Sequence, residues 1–191
     1  MSENEATHEK LKWGTLAAGF SAACALVVSA YTAYLQRQQT KAQIYPVLAW
    51  AHNETFGDAD GGEASFVYTL RNDGVGPATI ESVEVTVDGK PMAHWKDVQK
   101  TLVPDLGKSV RRLSSVRGRS LAAGAEIEPY APLDPRAVQA FKTSQDRIRI
   151  SYCYCSVLED CWTGRSGGGE RDYYKPEPVA HCPTDPVPFE D

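Results

Sequence analysis

No nucleophile elbow, no paired zinc-binding histidines and no phosphate-cradling glycine loop is recognised in this sequence. His8, His52, His94 and His181 are scattered, and no carboxylate pair stands out from ordinary surface charge, so no catalytic residue is assigned and the reading is of a protein that is not an enzyme. Positive charge is scarce where it would matter for nucleic acid. Residues 42–191 hold sixteen Lys/Arg against twenty-two Asp/Glu, which argues against a nucleic-acid partner. Cysteine is missing between Cys24 and Cys153, and Cys153, Cys155, Cys161 and Cys182 crowd the last quarter.

The most informative absence lies near the start. From Leu16 to Leu35 there are twenty residues without a charge, close to the ~20 that cross ~30 Å of hydrocarbon as a helix. Trp13 stands before this run and Tyr31 and Tyr34 near its far end, where amphipathic rings settle at the headgroup level. Lys10, Lys12, Arg37 and Lys41 bound it outside. Residues 13–35 are therefore read as a transmembrane helix, residues 1–12 as a cytoplasmic N-terminal segment and residues 36–43 as a polar linker. The rivals are a buried soluble helix, which would keep a polar face, and a cleaved signal peptide with Val28, Ser29 and Ala30 as its small-residue site. Phe20 to Ala23 lack the Leu-type residue of a lipoprotein processing site, leaving Cys24 as a small helix residue.

Basic residues flank the run equally, so they do not orient it. The short N-terminus is easily retained inside, and four clustered cysteines make two bridges only in an oxidising compartment. The expected placement is N-in, C-out. Small residues at four-residue spacing, Gly14, Ala18 and Ala22 with Thr15, Gly19 and Ala23, would let two such helices approach as a homodimer, although an Ala-rich helix yields such matches by chance.

Beyond the linker the periodicity changes from helical to alternating. Ile44–His52 is expected to be a first strand, and Asp58–Glu63 a loop. Phe66, Tyr68 and Leu70 share a face before the dense turn signal Asn72–Pro77. Val83, Val85 and Val87 then face a core, and Asp88 and Gly89 suit a tight hairpin, with Pro91 limiting the returning piece to an edge. Trp95, Val98 and Leu102 predict a short helix ending before Pro104, and Asp134 with Pro135 caps another. Arg112–Val116 and Ser120–Pro129 are expected strands, the second broken at Gly124. In Arg147–Val157, Ile148, Ile150, Tyr152 and Tyr154 take one face and Cys153 and Cys155 the other.

The fold class expected is mainly β: an antiparallel immunoglobulin-like sandwich over residues 44–165 with one or two short helices, followed by a Gly/Pro-rich tail over 166–191. Five prolines in that tail favour extended structure without a core, so Cys182 is expected to bridge it to Cys153, Cys155 or Cys161, and Cys182→Ala to release it.

The apolar helix, the Gln-rich exit Gln36–Gln43, Tyr45 and Pro46, the Asn-x-Gly-x-Gly-Pro-Ala turn at Asn72–Ala78, and Val83–Pro91 with Trp95 resemble a group of uncharacterised bacterial single-pass membrane proteins. The resemblance covers about the first half of the chain and implies a bacterial inner membrane with a periplasmic domain. It brings no activity, cofactor or site residue.

Two constellations remain. Cys153, Cys155, Cys161 and Cys182 with His181 contain zinc-ligand chemistry, but Cys-x-Cys alternates along a strand instead of forming a metal knuckle, and it is not the Cys-x-x-Cys of a redox helix, so disulfides are the assignment and no cofactor is expected. Lys108, Arg111, Arg112, Arg117 and Arg119 form a basic stretch without an acidic residue, suited to an anionic headgroup, glycan or acidic protein surface, or simply a solvated face. Asn53-Glu54-Thr55 is a glycosylation sequon that matters only in a secretory pathway. The reading that follows is a membrane-anchored extracytoplasmic interaction or scaffold module whose partners are the bilayer, through residues 13–35, and another membrane or envelope protein. Its rival is an extracytoplasmic enzyme or zinc-binding domain built on the Cys/His cluster.

Overall fold

The computed structural model describes the chain except residues 1–2, 58–62, 108, 168–175, 185–186 and 191, with only the backbone described at 3–12, 14, 15 and 17. It divides into two compact units, residues 1–43 and 44–191.

The first unit is one helix, α1 (Glu3–Gln43). The expected linker 36–43 is helical and continues α1, because Gln, Arg, Lys and Ala are all good helix formers. Thr32 and Thr40 return their hydroxyls to the Val28 and Gln36 carbonyls, which spares the helix two loose polar groups. Leu16, Phe20, Leu26, Val27 and Val28 are exposed. From Ala18 to Gln43 the helix is long and apolar enough to cross a membrane.

The second unit is mainly β, two antiparallel sheets in a sandwich-like arrangement. One has the order β1 (Leu48–Thr55), β2 (Ser65–Asn72), β7 (Glu126–Pro132), β5 (Arg111–Leu113). The other runs β10 (Glu177–Val179), β9 (Cys161–Gly167), β8 (Ile148–Ser156), β3 (Ala78–Val87), β4 (Lys90–Met92), with β6 (Ser120–Leu121) also on β3. The asparagine–glycine turn 72–77 carries the chain from the first sheet to the second.

The alternation read from sequence sets the inner faces. Phe66, Tyr68 and Leu70 are buried, as are Val83, Val85 and Val87 opposite Tyr152, Ile150 and Ile148. Ile80 joins the same face because the register slips by one residue between Ile80 and Ser82, which flips the alternation back toward the core. Trp50 of the first sheet lies 5.9 Å from Tyr152 of the second, whose hydroxyl donates to the Leu48 carbonyl at 2.9 Å. Gly164, opposite Tyr152 in the ladder, leaves room for that ring where any Cβ would collide with it.

Helices α2 (Trp95–Leu102) and α3 (Pro135–Thr143) add Trp95, Val98, Val138 and Phe141 to the same cluster. Asp134 caps α3 by accepting from the Arg136 N–H, as its place before Pro135 predicts. Trp95 stacks on Tyr130 at 4.7 Å, and Tyr130 donates to Gln99 at 2.8 Å, so the buried phenol is both packed and satisfied. At one end Asp88 (φ 52°) and Gly89 (φ 76°) make the hairpin turn with both residues left-handed. Arg147 clamps it through two hydrogen bonds to the Asp88 carboxylate, which holds that carboxyl below its ordinary range and raises the guanidinium.

Four of these expectations are corrected. The first strand starts at Leu48, not Ile44, because Tyr45 and Val47 are occupied with the turn: their carbonyls accept from Val75 and Asp73. The piece expected at Ser120–Pro129 is two strands in different sheets, separated by the turn at Gly124 (φ 72°), and the strand expected over Arg112–Val116 ends at Leu113. The tail carries strand β10 on β9, and Phe189 is buried against Trp95 at 5.1 Å. Most of the loop expected at Asp58–Glu63 lies outside the described residues.

Candidate functional site

The cysteines lie where the strand alternation puts them, on the face of β8 and β9 turned away from the core. Cys155 is the direct ladder partner of Cys161 across the β8–β9 hairpin, so that pair is bonded, and Cys182 reaches up from the tail to Cys153. The Cys182 sulfur also lies 3.7 Å from that of Cys155. Cys153, on an outer face yet 1% exposed, is covered by the tail it anchors. Beside it a depression is lined by Ser82, Glu84, Ser151, Thr163, Arg165 and Pro183. His181 is exposed. Cys24 is free and exposed on α1.

The tail is thus fastened in three places, by β10 on β9, by the Cys153–Cys182 bridge and by Phe189, with the Glu190 N–H donating to the Ala93 carbonyl. A 29-residue loop gives about 3.6 kcal/mol of chain-entropy stabilisation, and burying one phenylalanine contributes about 2 kcal/mol. The single variant Cys182→Ala should therefore lower stability by ~3 kcal/mol yet leave the segment after residue 186 docked. Cys182→Ala combined with Phe189→Ala leaves only the three-residue strand β10 to hold the tail and should expose the chain from Ala180 onward to protease. Limited proteolysis with thiol counting tests this: one new reactive thiol, Cys153, accompanies either variant, and complete tail cleavage in Cys182→Ala alone would show that Phe189 holds nothing.

The basic residues are divided between the sheets. Arg111 and Arg112 lie on β5, where Arg112 pairs with Glu128 at 3.2 Å and Arg111 is half-buried with its Nε lacking a partner. Arg117 and Arg119 are exposed in the loop leading to β6, where the Arg119 carbonyl accepts from Ile80. Lys108 lies outside the described residues.

Two features escaped the sequence reading. The string Gly164-Arg165-Ser166-Gly167-Gly168 has the spelling of a nucleophile elbow, but Ser166 lies within β9, paired with Ile150, not at a strand-to-helix turn. Asn72 carries only a turn signal in the sequence, yet it is fully buried and its side chain makes four hydrogen bonds: it accepts from Val47 and Gly74 and donates to Gly76 and Leu121. The signal available was the Asn-x-Gly-x-Gly spacing itself. Among the described residues, β1 has a ladder partner on one side only, and Ala51–Thr55 are all exposed.

Comparison with protein-family models, with curated proteins and with solved structures finds no match for this chain.

Proposed function

We propose that this protein is a membrane-anchored, extracytoplasmic interaction module of the bacterial envelope, in which α1 spans the inner membrane and the disulfide-closed β domain binds another envelope protein. The observation that carries the binding reading is the outer side of β1, five exposed residues whose ladder positions on that side have no strand partner among the described residues. An exposed edge of that length is a template for a strand from another chain. Lys142, which donates to the Thr55 carbonyl and sits 4.4 Å from the Phe56 ring, closes the edge at that end and leaves Ala51–Glu54 as the docking stretch.

The test has two arms. Alkaline phosphatase, which needs an oxidising compartment for its disulfides, is fused after Asp191 and should be active; an inactive fusion overturns the placement. A photo-crosslinking residue at Asn53 should give a discrete adduct in cells, absent when the same residue stands at Gly89; equal results at both overturn the edge as a binding surface. The alternative, a zinc-binding or enzymatic domain, draws on the sulfurs of Cys155, Cys161 and Cys182, which lie within 4.8 Å of one another. One zinc per purified chain together with free thiols would install it in place of the disulfide reading.

A further inference from the structure

Turn tips in water are normally made of Gly, Asn, Asp, Ser and Pro, whose short or polar side chains satisfy a tight backbone. Two turns of the β domain break that pattern. Val75 is 65% exposed between two buried or half-buried glycines, and Val157 and Leu158 are 63% and 40% exposed at the tip of the β8–β9 hairpin. These turns share one end of the domain. Ala78, just after the first turn, pairs with Ser156, just before the second. The segment Ile44–Val47 runs along the first turn, and Tyr45, itself 37% exposed, packs its ring edge-on to Trp162 at 4.9 Å beside the hairpin base.

Both tips are held outward. Neither Gly74 nor Gly76 can carry a Cβ without overlapping the backbone of Ile44–Val47, so the Val75 side chain has only the solvent side. The Cys155–Cys161 bridge closes the hairpin directly below Val157 and Leu158.

We propose that this end of the domain is a bilayer-contacting surface, with Val75, Val157 and Leu158 entering the headgroup layer from its water side and Tyr45 beside them. The inference rests on the reading of α1 as a membrane span. It commits to lipid because the chain leaves this end of the domain through residues 36–43 alone before the uncharged run that ends at Leu35. As helix those eight residues rise at most about 12 Å, against a headgroup layer of roughly 5–7 Å, which holds this end of the domain within roughly 5–7 Å of the headgroups. The surface is not cationic: Arg71 is paired with Asp73 at 2.6 Å, and Glu159 and Asp160 follow the hairpin tip. The contact is therefore apolar and shallow and does not depend on anionic lipid.

The experiment uses the full chain with Cys24→Ser in phosphatidylcholine vesicles, without reductant so that both bridges stay closed. Nitroxide labels are placed singly through Val75→Cys, Leu158→Cys, Val28→Cys in the helix and Gly89→Cys in the turn at the other end of β3. Collision rates with oxygen, which concentrates in lipid, and with a water-soluble nickel chelate report depth. Labels at 75 and 158 should show an oxygen-to-nickel ratio several-fold above that at 89 and below that at 28. Ratios at 75 and 158 equal to that at 89, with a lipid value at 28, overturn the surface while leaving the span standing. A water value at 28 overturns both. Dipolar broadening at 75 and 158 that vanishes on dilution with unlabelled protein, with no oxygen enrichment, would assign these tips to a second copy and overturn the lipid contact.

Discussion

Between pH 10 and 12 the β domain should unfold in one cooperative step, with the tyrosinate absorbance of the four core tyrosines Tyr68, Tyr130, Tyr152 and Tyr154 rising together with the loss of β circular dichroism and not before it. Burial pushes the Tyr152 phenol from its ordinary 10.0 up to about 12, and it raises Tyr68, Tyr130 and Tyr154 as well, in Tyr68 against the opposing pull of a hydrogen bond with Gln145. All four side chains are in the core. A phenol whose folded value lies above its unfolded one keeps its proton in the native state where the unfolded chain has lost it. Its contribution is fully present below pH 10 and declines as the pH rises toward the folded value. Each such group removes up to about 1.4 kcal/mol of stability per pH unit in that window. Four acting together remove roughly 5 kcal/mol per unit, against total stabilities of ~5–15 kcal/mol. Spectroscopic titration of these tyrosines near pH 10 with native circular dichroism would show that the aromatic core is open to water.

The second large effect belongs to Asn72. Its side-chain oxygen takes the Val47 and Gly74 N–H groups at 3.3 and 3.0 Å, and its amide gives to the Gly76 and Leu121 carbonyls at 2.8 and 3.0 Å. Its backbone is paired with Ala125 and Gly124. One residue thus joins the start of β1, its own turn and the β6–β7 connection. Asn72→Ala leaves up to four backbone groups without that partner, at about 1–3 kcal/mol for each that stays buried, so a loss of ~3–5 kcal/mol in chemical denaturation is expected after partial hydration. Asn72→Asp should be at least as damaging, because it aims a carboxylate at two carbonyl oxygens. Gly76→Ala should match them for a different reason: its Cβ would overlap the Ile44 carbonyl. A change in denaturation midpoint within experimental error for Asn72→Ala would show that water replaces all four contacts.

These two cases mark where the sequence was legible. Alternation exposed the inner faces of β2, β3 and β8, and Asp134 with Pro135 announced α3, because each signal is local and repeats over several residues. The slip between Ile80 and Ser82 was not readable, since a single extra residue in a strand looks like ordinary sequence until its partner is known. Disulfide pairing was closed for the same reason: four cysteines allow three connectivities, and only the register that sets Cys155 opposite Cys161 chooses. The burial of Phe189 escaped because one aromatic among prolines carries no period.

The Cys153–Cys182 bridge also fixes where mechanical load would travel. Tension applied at the C-terminus passes through the sulfurs into β8, which lies between β9 and β3, and bypasses the β8–β9 hairpin and the chain between it and Cys182. The bypassed 29-residue separation holds about 100 Å of contour length in reserve. None of that length can be drawn out while the sulfur–sulfur bond stands, so a pull on the tail is felt in the middle of the second sheet.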